Sequence, residues 1–473
     1  MRRQHILCLF LMVYVLFVAA CSRSDDTPEL FIVSPHGSDI RREFQNGFSA
    51  WHQEHFGTAA RVEWPNIGSN GTGDIVRYMD SQYARRSTCD YDLVFGGGTA
   101  SFDEYAGRKY LATPSLPEEI LGQVPADIHG TPLHGPGNVW IAATLSNFGI
   151  VANKQRIAEL GLQTPRMWQD LAGPEWFGNL SLADPSKSGS VRTCYDMVLQ
   201  QYGWEKGWGL LVQFFANTEL VREGGSHPAD DVGSAQAVAG IVIDFYGRNH
   251  ITRVGPRIVT FIIPEGGSTI DPDPIAMLKG APHPELAARF IQFVISPEGQ
   301  KLWTFKSQAI TGRKDGPVRS ALGRLSVLPS LYETDSAAMT DPTSPFTSVV
   351  PLKADAKIGR TRSVYLGNLI KSALVDNHAA LVAARRAIHN AGDPPELMEK
   401  LGTLPTIPAE LLPSGATEGQ PITADKQSLV AELFKPADKS LLERHQEMLK
   451  THWQKEFSAL FEVISSEAES RRK

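Results

Sequence analysis

The chain of 473 residues is 42% hydrophobic and 21% charged, an ordinary globular composition, and its length suits two or three domains. A net charge of -6 and a pI near 6.1 leave no general attraction to nucleic acid or to anionic membranes.

Arg2 and Arg3 precede an unbroken apolar run, Ile6 to Ala20, which ends in Val18-Ala19-Ala20-Cys21. A charged start, a short apolar run and small residues at its end make a secretory signal. The run falls short of the roughly 20 residues a membrane span needs. Cys21 directly after the small residues resembles the bacterial lipobox. That implies a signal peptide at 1–20, acylation of the Cys21 thiol and a lipidated tether at 21–28. A plain signal peptide or an uncleaved anchor is the alternative, and either places the body of the protein outside the cytoplasm. Cys89 and Cys194 are then the remaining cysteines. They are expected in different lobes, as two buried thiols rather than a disulfide.

From Leu30 onward strand-like and helix-like pieces alternate. Leu30–Val33 reads as a strand. Ile40 to His55 reads as a helix, with Phe44, Phe48 and Trp51 at helical spacing. Ala60–Trp64 is a second strand, Asp74 to Ala84 a helix and Tyr91–Phe95 a third strand. Such alternation predicts parallel sheets with crossover helices. Val139 to Val151 is apolar and β-branched and reads as strands passing from one lobe to another. Leu180–Leu182, Val238–Phe245 and Ile258–Ile263 are further strands. Val191–Tyr202, Leu286–Val294 and Pro297–Trp303 are helices. After about Pro317 helices are expected at Ser363–Ala391 and Ala437–Ser466, joined by a Pro- and Gly-rich linker, Gly402–Pro421.

Three loops carry the chemistry. Gly68-Ser69-Asn70-Gly71-Thr72-Gly73 follows a strand and opens a helix, where free N–H groups and the helix dipole suit an anion. No Gly-Lys-Ser/Thr follows, so it is not a P-loop. Ser188-Gly189-Ser190 repeats the arrangement in the second half, with Arg192 just beyond it. Gly96-Gly97-Gly98, after a strand, makes a third wall. His36 stands in Ser34-Pro35-His36-Gly37 where the first strand ends, and Tyr246 ends a later one. A serine-nucleophile elbow and a His-Glu-x-x-His motif are both absent from the sequence.

By Ser188 the pattern resembles the extracellular solute-binding proteins of ABC importers. The branch is the type 2 periplasmic binding proteins related to ferric, phosphonate and sugar-phosphate binders. SPHGSDIRREF, GTGDIVRYM, DLVFGGGT, SNFGIVANK, ADPSKSGS, IVIDFYGR and KGAPHPELAARFIQFVISPEGQ carry the likeness, over Leu30 to Pro317. The resemblance implies an α/β, two-lobed fold with a C-terminal helical extension and no enzymatic chemistry. The lobes would be 29–133 plus 262–345 and 134–261, with an extension at 346–473. Crossings are expected near Leu133–Trp140 and Val254–Ile262. It further implies a lipid-anchored, extracytoplasmic monomer that needs no cofactor and hands a small molecule or ion to a membrane permease. Ser34, His36, Ser69, Asn70, Thr72, Gly97, Ser188, Gly189, Ser190 and Tyr246 would touch the solute. If that solute were Fe³⁺, His36 and Tyr246 would be its ligands. Phe245 stands where iron binders have a second tyrosine, and neutral Ser69-Asn70 where they have a carboxylate. Fe³⁺ wants several anionic oxygens, so a phosphorylated or phosphonate-like anion is the main expectation.

Overall fold

The computed structural model describes residues 27–67, 72–347, 351–413, 416–435 and 438–471. The signal segment 1–20, Cys21 and most of its tether, and also Ser69 and Asn70, lie outside the described residues.

The alternation seen in the sequence folds into two sheets. The first begins with β1 (Glu29–Val33), β2 (Arg61–Glu63), β3 (Leu93–Phe95), β4 (Leu111–Ala112) and β5 (Ile141–Ser146). The second holds β6 (Phe148–Asn153), β7 (Leu180–Ala183), β8 (Thr218–Arg222), β9 (Ala239–Ile243) and β10 (Val259–Ile262). The chain then returns to the first sheet with β11 (Asp271–Leu278). The spatial orders are β2-β1-β3-β11-β4, with β5 also beside β11, and β8-β7-β9-β6-β10. The β1–β2, β1–β3, β7–β8 and β7–β9 pairs are parallel, as crossover connections require, while β11 and β6 run antiparallel to their neighbours.

Two connections join the sheets. One is Asn147 between β5 and β6; the other is 263–270 between β10 and β11. Neither matches the expected crossings. Leu133 instead bonds back to the first sheet, its carbonyl accepting from Ala142 N at 2.8 Å, and β10 is still paired with β6. The cause is physical: β5 and β6 are both fully buried strands, so no change in composition marks the point where the chain leaves one sheet for the other.

Helices α1 (Ser38–Phe56), α2 (Thr72–Tyr83) and α3 (Thr99–Gly107) connect the first sheet. Phe44, Phe48 and Trp51 bury the inner stripe of α1, and Gly57 ends it at φ 76°, a conformation glycine adopts freely. In the second lobe α4 (Gly189–Tyr202) is followed by α5 (Trp204–Ala216) and α6 (Asp244–Val254). The expected strand Val238–Phe245 stops at Ile243, because Asp244 opens α6 and its Oδ1 accepts from Phe245 N at 2.8 Å. Helices α7 (Pro284–Ile295) and α8 (Pro297–Thr304) close the first lobe.

The later chain divides between the lobes. Leu322, Leu325 and Val327 belong to the first lobe's core. Helices α9 (Ala356–Ser363), α10 (His378–Asn390) and α11 (Lys439–Ser470) join the second: α9 packs on α4, while α10 and α11 form one continuous core with α5. Trp204, Trp208 and Trp453 are fully buried there. Gly402–Pro421 is no free linker: Trp208 and Trp453 donate their indole N–H to the carbonyls of Thr403 and Thr406, both at 2.9 Å, and Ile407 is buried. Cys89 and Cys194 are buried and free, as expected. Among the described residues no helix is long and apolar enough to cross a membrane.

Candidate functional site

Parallel strands end where helices begin, and in α/β folds that edge binds ligands. In the first lobe it gathers Ser34 and His36 after β1, Thr72 at the start of α2 and Gly97 after β3. A Cβ built on Gly97, at φ 117°, would stand 3.1 Å from Thr72 Cγ2, so these two loops touch. Gly96 is tighter still: a Cβ there would lie 2.5 Å from the His36 ring.

His36 is buried rather than open to the cleft. Its ring lies edge-on to Phe95 at 4.7 Å and to Trp303 at 5.6 Å, and its backbone N–H donates to Ser34 Oγ at 3.1 Å. Nε2 lies 3.2 Å from Asp273 Oδ2. A carboxylate can only accept, so Nε2 carries the proton and Nδ1 is left with a lone pair. Burial pushes the imidazole below its ordinary pKa, which Asp273 only partly offsets.

Asp273, on β11, is the hub of this wall. It accepts from Gly97 N at 2.7 Å, Gly98 N at 3.1 Å and Arg324 Nη1 at 2.9 Å, as well as from His36. Burial alone would raise its carboxyl. Arg324 and His36 outweigh that and hold it well below the usual carboxylate range. Arg324 also donates to Ser146 Oγ at 3.3 Å, and its guanidinium lies 4.1 Å from the ring centre of Phe245, in the second lobe. That cation–π contact ties the lobes together beside the cleft.

The second lobe's wall is the start of α4. Ser188 caps the helix, its Oγ accepting from Val191 N at 3.5 Å and lying 3.1 Å from Ser190 Oγ. Gly225, after β8, closes on it: a Cβ there would meet Ser188 Oγ at 2.9 Å. Arg192 lies one turn along, close to Gly189. Burial holds its guanidinium below the ordinary value, and the charge acting on it is Asp196, itself paired with Arg362 of α9 at 3.1 Å. Tyr246, in the first turn of α6, packs on Phe245 at 4.1 Å. Burial raises its phenol, opposed by Arg324.

Two residues before Asp273 on β11, Asp271 is partly buried next to Thr269 and pushed up to about 6 by desolvation. The extension flanks the opening as well. Helix α9 packs on α4, and Arg360 acts on the charge of Asp103 in α3 across from it.

The structure thus brings His36, Thr72 and Gly97 together on one wall and Ser188, Gly189, Ser190 and Arg192 on the other. Tyr246 stands near Arg324 at their junction. Sequence reasoning overlooked Asp273 and Arg324; the acidic residues in the strand Asp271-Pro272-Asp273-Pro274 were the available signal. Among the described residues no three His, Cys, Asp or Glu side chains gather in a metal-holding group.

Residues 92–314 match the profile of the bacterial extracellular solute-binding protein family. A phosphoglycerate transport regulatory protein of Salmonella typhimurium is 30% identical over 260 residues, which are 55% of this chain and 62% of that one. An uncharacterized Haemophilus influenzae protein is 26% identical over 234 residues, 49% of this chain and 65% of that one. The chain therefore spans about six-tenths of the curated relatives it matches. Among solved structures, iron-bound HitA of Pseudomonas aeruginosa superposes with a TM-score of 0.54 at 18% identity, covering 72% of this chain and 98% of that one. The substrate-binding protein of an ABC transporter from Agrobacterium tumefaciens gives 0.52 at 18%, covering 73% and 95%. Residues 92–314 thus resemble the bacterial extracellular solute-binding proteins, and the two-lobed α/β fold around them is the one these solved structures share.

Proposed function

We propose that this chain is the substrate-binding receptor of an ABC importer, taking a small phosphorylated or phosphonate-like anion into the interlobe cleft and delivering it to a permease. The observation that carries the reading is Arg192. It is a largely desolvated cation one turn into α4, beside the Ser188 cap and the Ser190 hydroxyl, and the one carboxylate acting on it is already paired with Arg362. Free helix-start N–H groups and an arginine fork are what a phosphoryl group requires. The Salmonella relative's name, a phosphoglycerate transport regulator, supports the same class of solute and also supports a sensory variant of the receptor.

The ferric alternative is weaker on chemical grounds. His36 already gives Nε2 to Asp273, and Arg324 acts on both His36 and Tyr246. A fixed guanidinium between two candidate ligands opposes a trivalent cation and favours an anion. The receptor is proposed to act as a monomer in the periplasm, anchored by acylated Cys21, with nine of the ten residues expected from the sequence, together with Arg192, lining its solute, and with His36 holding the wall behind them.

Thermal melting tests the reading, because a solute that binds only the folded state must raise the midpoint. Phosphoglycerate, hexose phosphates or a phosphonate at millimolar concentration are expected to shift it upward. A shift with ferric citrate and with none of the phosphorylated compounds would replace this reading by the ferric one.

A further inference from the structure

A second cavity, of about 330 Å³, lies on the far flank of α6 between the lobes. None of His36, Thr72, Ser188, Arg192 or Tyr246 lines it. Its wall comes from both lobes: Ile251 and Phe261 from the second, Leu325 and Thr340 from the first, with Asn147 at the crossing itself. Asn147 is 1% exposed, yet its Oδ1 accepts no hydrogen bond, and the buried Thr340 hydroxyl also has no partner. A buried acceptor left unmade costs roughly 1–3 kcal/mol, so two at one cavity call for an occupant that supplies the missing bonds.

The cavity's charges are already balanced. Arg248 donates Nε to Asp341 Oδ2 at 2.9 Å and Nη1 to Asp244. A free anion would face Asp341, and a free cation would face Arg248. The remaining wall is mainly aliphatic and aromatic. The volume is at the lower end of small-molecule pockets, which run from roughly 300 Å³.

We infer that this cavity is a second ligand site, for a small uncharged molecule with one hydrogen-bond donor for Asn147 Oδ1, one acceptor for Thr340 and an apolar body. Because both lobes form the wall, its occupant rests against both sides of the hinge.

Ligand-observed NMR on the full chain tests this with benzamide and cyclohexanol as probes and benzoate and cyclohexylammonium as charged controls. The neutral probes are expected to bind with a Kd of about 1 mM or tighter, and the charged pair at least about tenfold more weakly. Thr340→Val should weaken benzamide about tenfold. Ile251→Trp, which fills the space from the α6 side, should abolish its binding. Failure of both neutral probes to bind at 20-fold excess over about 1 mM would overturn the proposal. So would benzamide binding that is untouched by Ile251→Trp and Thr340→Val in folded protein.

Discussion

Asp273 collects two backbone N–H groups, an imidazole and a guanidinium into one buried cluster. Removing its charge strands Arg324 in a site only 5% exposed. Asp273→Asn is therefore expected to cost about 3–5 kcal/mol of stability, measured by urea unfolding. A loss under about 1 kcal/mol would mean that the cluster is solvated. Asp271, two residues away on β11, behaves in the opposite sense. Its folded value of about 6 lies above the ordinary 3.8, so the native state holds the proton more tightly than the unfolded chain does. Its stabilising contribution is complete below about pH 4 and is lost as pH rises through about 6. Asp271→Asn should flatten stability over that window and raise it at pH 7 by about 1–3 kcal/mol. An unchanged pH profile would exclude Asp271 as the titrating group. This scale was the least legible in sequence. His36 could be placed at a strand end, but its partner Asp273 is 237 residues away, and Arg324 reaches Asp273 across 51. Such contacts exist only once the sheet has formed, so a residue suited to touching solute proved to be one that holds the wall.

At the scale of elements, legibility followed contrast between faces. Helix α1 alternates buried aromatics with charged residues and could be read directly. Helix α5 buries nine of its thirteen residues and leaves only the narrow outer stripe of Glu205, Lys206, Gly209 and Gln213, so little contrast marks its period. The same shortage of contrast hid the break between β5 and β6. Because α5 packs on the extension, the C-terminal helices are structural parts of the second lobe. Trp453→Ala is expected to cost about 3–5 kcal/mol and to lower the melting temperature of that lobe. A change confined to the extension, with lobe unfolding unaltered, would contradict the shared core. Gly96→Ala should also destabilise, by about 2–4 kcal/mol, since both the positive φ and the His36 ring oppose a side chain.

On the scale of the whole molecule, two sheets joined at Asn147 and at 263–270 hold two unlike walls. One is a closed network centred on Asp273. The other, at α4, carries the Ser188 and Ser190 hydroxyls, the helix start and Arg192, which we propose receive the solute. The fold class and the Ser188–Ser190 loop were legible because glycine, serine and strand-ending signals are local. The solute's identity was not, because it depends on how side chains from distant segments meet. The central claim is that α4 presents an anion site to the cleft. Calorimetric titration of phosphoglycerate into the full chain and into Arg192→Ala tests it most directly. The account predicts saturable binding to the unaltered protein and a Kd weakened about 10- to 100-fold in the variant. Equal affinity in both proteins would contradict it.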